Sequence, residues 1–159
     1  HRLYDYKITN LQLAAVAGAM GMGVPAAVTA GLRAQNRQVI CFVGDGGFQM
    51  TGNEISIAVE RNLKVRIIIS NNSSLGTIRL YQEKLYPDRT LATNMTNPDF
   101  SKIAKAYGIK SFRIENNTDI EKIIKQAFEV DGPSLIEVKS SLEYLAAYIN
   151  ISEIKKSHQ

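Results

Sequence analysis

Apolar residues fall into two kinds of run along the chain. Apolar stretches at 39–43, 65–70 and 135–138, and the short stretch 111–114, read as strands. Strands of a parallel sheet covered on both faces lose the polar alternation of a half-wet sheet, and 65–70 has lost it. Between them apolar residues recur at helical spacing. The pattern predicts helices over 24–34, with Pro25 in the first turn, over 52–62 through Ile55, Ala58, Val59 and Leu63, and over 78–86. Two more follow, one through Phe100, Ile103, Ala104 and Tyr107 and one through Ile120, Ile123, Ile124, Ala127 and Phe128. Thr51 with Glu54, and Thr118 with Glu121, carry capping-box spacing. Asn97-Pro98 reads as an N-cap followed by Pro at the first helical position. Residues 1–10 read as a lead-in, 17–23 as a glycine loop, 87–97 as a polar loop, and 141–159 as a tail with a weak helix through Leu142, Leu145 and Ala146. Alternating strands and helices predict an α/β fold: a doubly wound parallel sheet with helices on both faces.

The chemistry concentrates where the first two strands end. The first runs into Gly44-Asp45-Gly46-Gly47, the second into Asn71-Asn72. Parallel strands joined by a helix present their carboxyl ends at one edge, so Asp45 and Asn72 are expected to meet there. Gly44, Gly46 and Gly47 let a backbone approach a bulky anion and aim N–H groups at it. A carboxylate in such a turn repels phosphate unless a hard cation lies between them. Mg²⁺ takes oxygen ligands, commonly one or two carboxylates together with substrate phosphates. Asp45 offers the carboxylate, Asn72 a neutral amide oxygen, and a backbone carbonyl just beyond a third ligand. The stretch reads as a site for Mg²⁺ and a diphosphate.

Gly-Asp-Gly followed one helix and one strand later by Asn-Asn resembles the thiamine diphosphate (ThDP) motif of the acetolactate synthase and 2-oxo acid decarboxylase superfamily. Upstream, Gly18-Ala19-Met20-Gly21 and Gly23-Val24-Pro25-Ala26-Ala27 resemble that family's G-x-M-G-x-G-x-P-A-A segment. The resemblance implies the diphosphate-holding C-terminal domain of such an enzyme. Asp45, Asn72 and the carbonyl of Ser74 would hold Mg²⁺. Gly18, Met20, Gly44, Gly46, Gly47, Leu75 and Gly76 would contact the cofactor, the Gly18 carbonyl at its amino group and Met20 beneath its bend. Thr77, Ile78, Tyr81 and Gln82, on the helix that follows, would face substrate. The positions of Thr77 and Tyr81 tend to be Met and Trp in acetolactate synthases, which leaves the substrate open. No catalytic residue is expected in this chain. The activating glutamate would come from a pyrimidine-binding domain of the same or a neighbouring subunit, in a homodimer or homotetramer. The complete enzyme would decarboxylate 2-oxo acids or join them to a second carbonyl, the thiazolium acting as electron sink. The alternative is a non-catalytic ThDP-binding module or one subunit of a split decarboxylase.

Composition narrows this further. The chain of 159 residues, 45% hydrophobic, is read as one domain, 1–159. Its start, His-Arg-Leu-Tyr without Met, reads as a C-terminal fragment of a longer enzyme. No apolar run reaches the 18 residues of a membrane span, and no signal-peptide pattern opens it. The net charge of +4 is scattered, which argues against nucleic acid. Cys41 is the only cysteine, which fits a reducing cytoplasm. His1 and His158 stand at the ends, so histidine-based triads and metal sites fail. Gln49 stands where a dinucleotide-binding G-x-G-x-x-G needs glycine, and no phosphate-loop G-x-x-x-x-G-K-[ST] occurs.

Overall fold

Four parallel strands form one sheet in the order β1-β2-β4-β3 in a computed structural model that describes residues 7, 12–34, 36–146 and 149–157. The strands are β1 (Val39–Gly44), β2 (Val65–Asn71), β3 (Lys110–Ile114) and β4 (Ser134–Lys139). The chain steps from β1 to its neighbour β2, passes over the place of β4 to reach β3, and then returns. A step back along the sheet puts its crossover helix on the opposite face from a step forward, because crossovers are right-handed. On one face α1 (Gly23–Arg33), α2 (Asp45–Thr51), α3 (Ile55–Glu60) and α5 (Phe100–Ala106) surround a core of Val24, Val28, Phe48, Ile55, Ile67, Ile69, Phe100 and Leu135. Phe48 and Phe100 meet edge to face, with ring centroids 5.4 Å apart. On the other face α6 (Ile120–Phe128) closes a smaller core of Ile114, Ala127 and Ile136 over β3 and β4. The doubly wound α/β reading holds.

Two features depart from simple covering. The α6 face of β1 has no helix over it among the described residues, and it leaves Ile40 and Phe42 exposed, Phe42 by 76%. A groove of ≈ 400 Å³ opens there, lined by Phe42, Val43, Gly44, Ile68, Ser70 and Val138. The second feature is Arg66, a charged residue within β2 that is only 1% exposed. Its guanidinium donates to the carbonyls of Phe128 (3.1 Å), Val130 (2.8 Å) and Gly132 and to Gln38 Oε1 (3.1 Å). It thereby satisfies the Phe128 carbonyl at the end of α6, which Gln38 Nε2 also reaches at 3.4 Å, and the Val130 and Gly132 carbonyls of the turn that follows. Burial pushes the guanidinium below its usual value, and Asp131 pushes it back up.

Several expected boundaries move, each for a local reason. The 52–62 helix begins earlier: α2 starts at Asp45, straight from the strand, and a 3-10 turn at Gly52–Glu54 links it to α3. Thr51 therefore makes no capping box; its hydroxyl donates to the Gly21 carbonyl at 2.6 Å. The cap of α5 is Asp99, which accepts from the Lys102 N–H at 3.0 Å, so Pro98 lies outside the helix and Asn97 is released. At α6 the N-cap is Asp119 in a left-handed conformation (φ 64°) with no side-chain cap, so the Thr118–Glu121 box does not form. The tail helix is α7 (Ile151–Lys156), not a helix through Leu142 to Ala146. It carries a true capping box, Asn150 with Glu153, and Ile151 and Ile154 pack against Leu80 of α4 (Gly76–Leu85). The 1–10 lead-in, Lys7 apart, lies outside the described residues, as do His158 and Gln159.

Cys41 faces the α1 core, and burial pushes its thiol up from 9.0 to about 11. The raised value favours the protonated thiol in the fold. That preference is intact below the unfolded thiol's value and is lost as pH climbs through about 11. At pH 8 the native thiol is expected to react with a disulfide reagent on the order of a hundredfold more slowly than the urea-unfolded chain. Rapid stoichiometric labelling of the native protein would contradict this placement.

Candidate functional site

At the carboxyl edge of the sheet Gly44 pairs in register with Ser70, and Asn71 with Lys139. This register sets the Asp45 turn beside the Asn71-Asn72 segment. The Asp45 carboxylate, 2% exposed, is the first residue of α2. Its Oδ1 accepts the Gly46 N–H at 2.9 Å. Its Oδ2 accepts the Ser73 N–H at 2.8 Å and the Asn97 side-chain amide at 2.7 Å. A carboxylate at a helix start is favoured by the partial positive charge of the free N–H groups there. Asp45 is thus tied through Ser73 to the segment that holds Asn72 and Ser74.

Asn72 Oδ1 accepts the Ser74 N–H at 3.0 Å, an Asx turn that leads into α4. An amide oxygen carries two lone pairs, so this bond leaves it able to take a cation. The amide nitrogen lies against Gly76, where a Cβ would come within 2.9 Å of it. Ser74 is buried; its hydroxyl donates to the Thr93 carbonyl at 2.9 Å, and the same carbonyl accepts the Leu75 N–H at 2.8 Å. With Met95 N–H on the Ser73 carbonyl at 2.9 Å, these bonds stitch 73–75 to 93–95.

Gly46 shows why that position is glycine. A Cβ there would stand 2.9 Å from Leu75 Cδ2, 3.1 Å from Met20 Cε and 3.3 Å from Met95 Sδ. Met20, Leu75 and Gly46 are therefore brought together as expected. Gly44, at the exposed strand end, has open space where a Cβ would go, and Gly47 is buried against Val43. Gly18 turns the 17–23 loop with φ 66° and also faces open space. Thr77, Ile78 and Tyr81 stand exposed along α4. Gln82, one turn beyond Ile78 on the same helix, clasps the 87–97 loop through Leu91, donating to its carbonyl at 3.0 Å and accepting its N–H at 2.9 Å.

Sequence reasoning missed Asn97, Asn71 and Glu137. Asn97 Nδ2 bridges Asp45 Oδ2 and Asn71 Oδ1 (2.8 Å), while its own oxygen accepts from Gln49 at 2.8 Å. Its placement before Pro98 gave a complete but incorrect explanation as a cap. Asn71 Nδ2 donates to Glu137 Oε1 at 2.6 Å, and Glu137, 2% exposed, is paired with Arg113 at 3.0 Å. The signal available was a lone acid inside the apolar run of β4.

Residues 1–138 match the family model described as "Thiamine pyrophosphate enzyme, C-terminal TPP binding domain". The chain belongs to this family. The domain is 41% identical over 122 residues to the acetolactate synthase large subunit of Lactococcus lactis subsp. lactis (strain IL1403), which covers 76% of this chain and 21% of that protein. It is 39% identical over 121 residues to the mitochondrial acetolactate synthase catalytic subunit of Aspergillus candidus, covering 76% of the chain and 17% of the relative. A probable acetolactate synthase large subunit of Methanococcus aeolicus matches at 39% over 121 residues, 76% and 20%. The domain thus spans about a fifth of the length of the curated relatives it matches.

Proposed function

We propose that this domain is the Mg²⁺- and ThDP-diphosphate-holding part of a longer, acetolactate synthase-like enzyme acting on 2-oxo acids. The observation that carries the reading is the buried Asp45 carboxylate, bonded to Ser73 between Asn72 and Ser74. Among the described residues no three His, Cys, Asp or Glu side chains converge as a metal cage. A cation here would draw on one carboxylate, neutral oxygens and the ligand's own phosphate, which is how Mg²⁺ is commonly held. Asp45, the Asn72 amide oxygen and the Ser74 carbonyl would hold it. Gly44, Gly46 and Gly47 admit the diphosphate, and Gly18, Met20, Leu75 and Gly76 line the rest. When bound, ThDP supplies an electron sink for loss of CO₂ from a 2-oxo acid. Thr77, Ile78 and Tyr81 present a mixed apolar and hydroxyl surface to substrate.

The activating glutamate would come from a pyrimidine-binding domain elsewhere in the polypeptide or in a neighbouring subunit of a homodimer or homotetramer. The uncovered face of β1, with Ile40 and Phe42 exposed beside the groove, supports a domain that packs against more protein. Among the described residues no helix is long and apolar enough to cross a membrane. A cytoplasmic location rests on Cys41 alone.

A thermal-shift titration of the full-length protein with ThDP, with Mg²⁺ and again with chelator, tests the reading. Ligand at 100 times its dissociation constant stabilises by about 2.7 kcal/mol, a shift of a few degrees for a protein several times the size of this domain. A shift that needs both components is expected. An equal shift in chelator would sink the metal assignment.

A further inference from the structure

We propose that Glu137 is a positioning residue for the Asp45 metal site, acting through Asn71 and Asn97 by fixing which way their amides point. The proposal rests on the site reading above. Glu137 is buried beneath the sheet edge, and none of the residues expected to touch metal or cofactor is hydrogen-bonded to it.

The argument runs through donor and acceptor polarity. An Asn side chain fits its site in two orientations that differ only in which atom is oxygen, so its partners must choose. Glu137 Oε2 accepts from Arg113 Nε at 3.0 Å, and Lys139 Nζ lies 3.6 Å from Oε1. The pairing with Glu137 holds the Arg113 guanidinium above its usual value. A carboxylate so paired only accepts, so the side chain atom 2.6 Å from Oε1 must be Asn71 Nδ2. Asn71 Oδ1 is then turned toward the site, where it accepts from Asn97 Nδ2 at 2.8 Å and the Ser73 N–H at 3.2 Å. That in turn commits Asn97 to present its amide hydrogens, one to Asn71 and one to Asp45 Oδ2. Ser73 N–H is shared between the same two acceptors. Asp45 is therefore held by the fixed backbone N–H of Ser73 and by the Asn97 amide, whose orientation, the one Asp45 itself requires, is supported from two bonds away by Glu137. With no acceptor at 137, Asn71 Nδ2 loses its buried partner, and only the Ser73 N–H and the Asn97 amide, both on Oδ1, remain to hold the side chain in place.

The full-length protein tests this by calorimetric titration with Mg²⁺ in the presence of ThDP. Glu137→Leu keeps the bulk and removes the acceptor. It is expected to weaken Mg²⁺ binding by about 10- to 100-fold, as loss of groups that orient metal ligands does. Glu137→Gln restores an acceptor for Asn71, and Arg113 can turn to Asp99 and Glu115, which it already approaches at 3.3 and 3.9 Å. It is expected to recover at least about tenfold of the loss seen in Glu137→Leu. If Glu137→Leu fails to fold, Asn97→Ala, on a loop outside the core, carries the test with an expected loss of about tenfold. Binding within twofold of wild type in Glu137→Leu or Asn97→Ala overturns the proposal. So does an equal loss in the Leu and Gln variants, which would make the buried charge, and not the acceptor, what matters. Wild-type protein that itself shows no Mg²⁺-dependent ThDP binding sinks the site reading, a different failure from an insensitive variant in a protein that binds.

Discussion

Asp45→Ala is expected to weaken Mg²⁺-dependent ThDP binding by on the order of a thousandfold while the domain still folds. Two unit charges about 4 Å apart interact by about 4 kcal/mol at an effective dielectric of about 20, the doubled charge of Mg²⁺ being offset by the water that replaces the lost carboxylate, and each 1.4 kcal/mol is tenfold in affinity. The fold survives because the donors on Asp45 have other acceptors. Ser73 N–H and Asn97 Nδ2 both reach Asn71 Oδ1, and the Gly46 N–H belongs to a helix start where water serves as well. Isothermal titration gives the affinity, and far-ultraviolet circular dichroism the fold. Equal affinity in variant and wild type would remove Asp45 from the metal site and with it the proposed function.

Arg66→Met carries the largest expected cost in stability, about 3–4 kcal/mol. The apolar stem is retained, so packing against the sheet changes little. What is lost is the donor to the carbonyls of Phe128, Val130 and Gly132. The Phe128 carbonyl keeps Gln38 Nε2 at 3.4 Å, but the buried Gly132 carbonyl and the half-buried Val130 carbonyl lose their donor, at about 1–3 kcal/mol each. The Arg66 guanidinium also lies 6.0 Å from the Phe128 ring centroid, a further small loss. Urea denaturation of both proteins in parallel measures the difference. A change below 1 kcal/mol would mean that water replaces the guanidinium freely, and that Arg66 does not hold α6 to β2.

Much of this was legible in the residues because it depends on local patterns. The expected strands match the four observed to within a residue or two, and β2, which is buried along nearly its whole length, is mostly apolar. Asp45 and Asn72 could be placed at one edge from strand direction alone. The turn between them was harder. Gly46 and Gly47 read as part of an anion-facing turn, with helix expected only from residue 52, yet α2 begins at Asp45, where Phe48 docks in the core against Phe100. Tertiary packing outweighs a propensity cost of about 1 kcal/mol per glycine.

The sequence by itself determined the layered α/β class, the strand ends and the residue types that suit a cation and a diphosphate. These follow from periodicity and from the short-range geometry of Gly, Asp and Asn. Only the tertiary structure decided which asparagine does what. Asn71, Asn72 and Asn97 are chemically identical, and each hydrogen-bonds according to what the fold sets opposite it: Glu137 from β4, the Ser74 N–H, and Asp45 with Asn71. The same holds for Arg66 and for α7, whose partners lie far away in the chain. Long-range donor and acceptor matching leaves no period in a sequence, so it is read only once the sheet has brought the ends of its strands together.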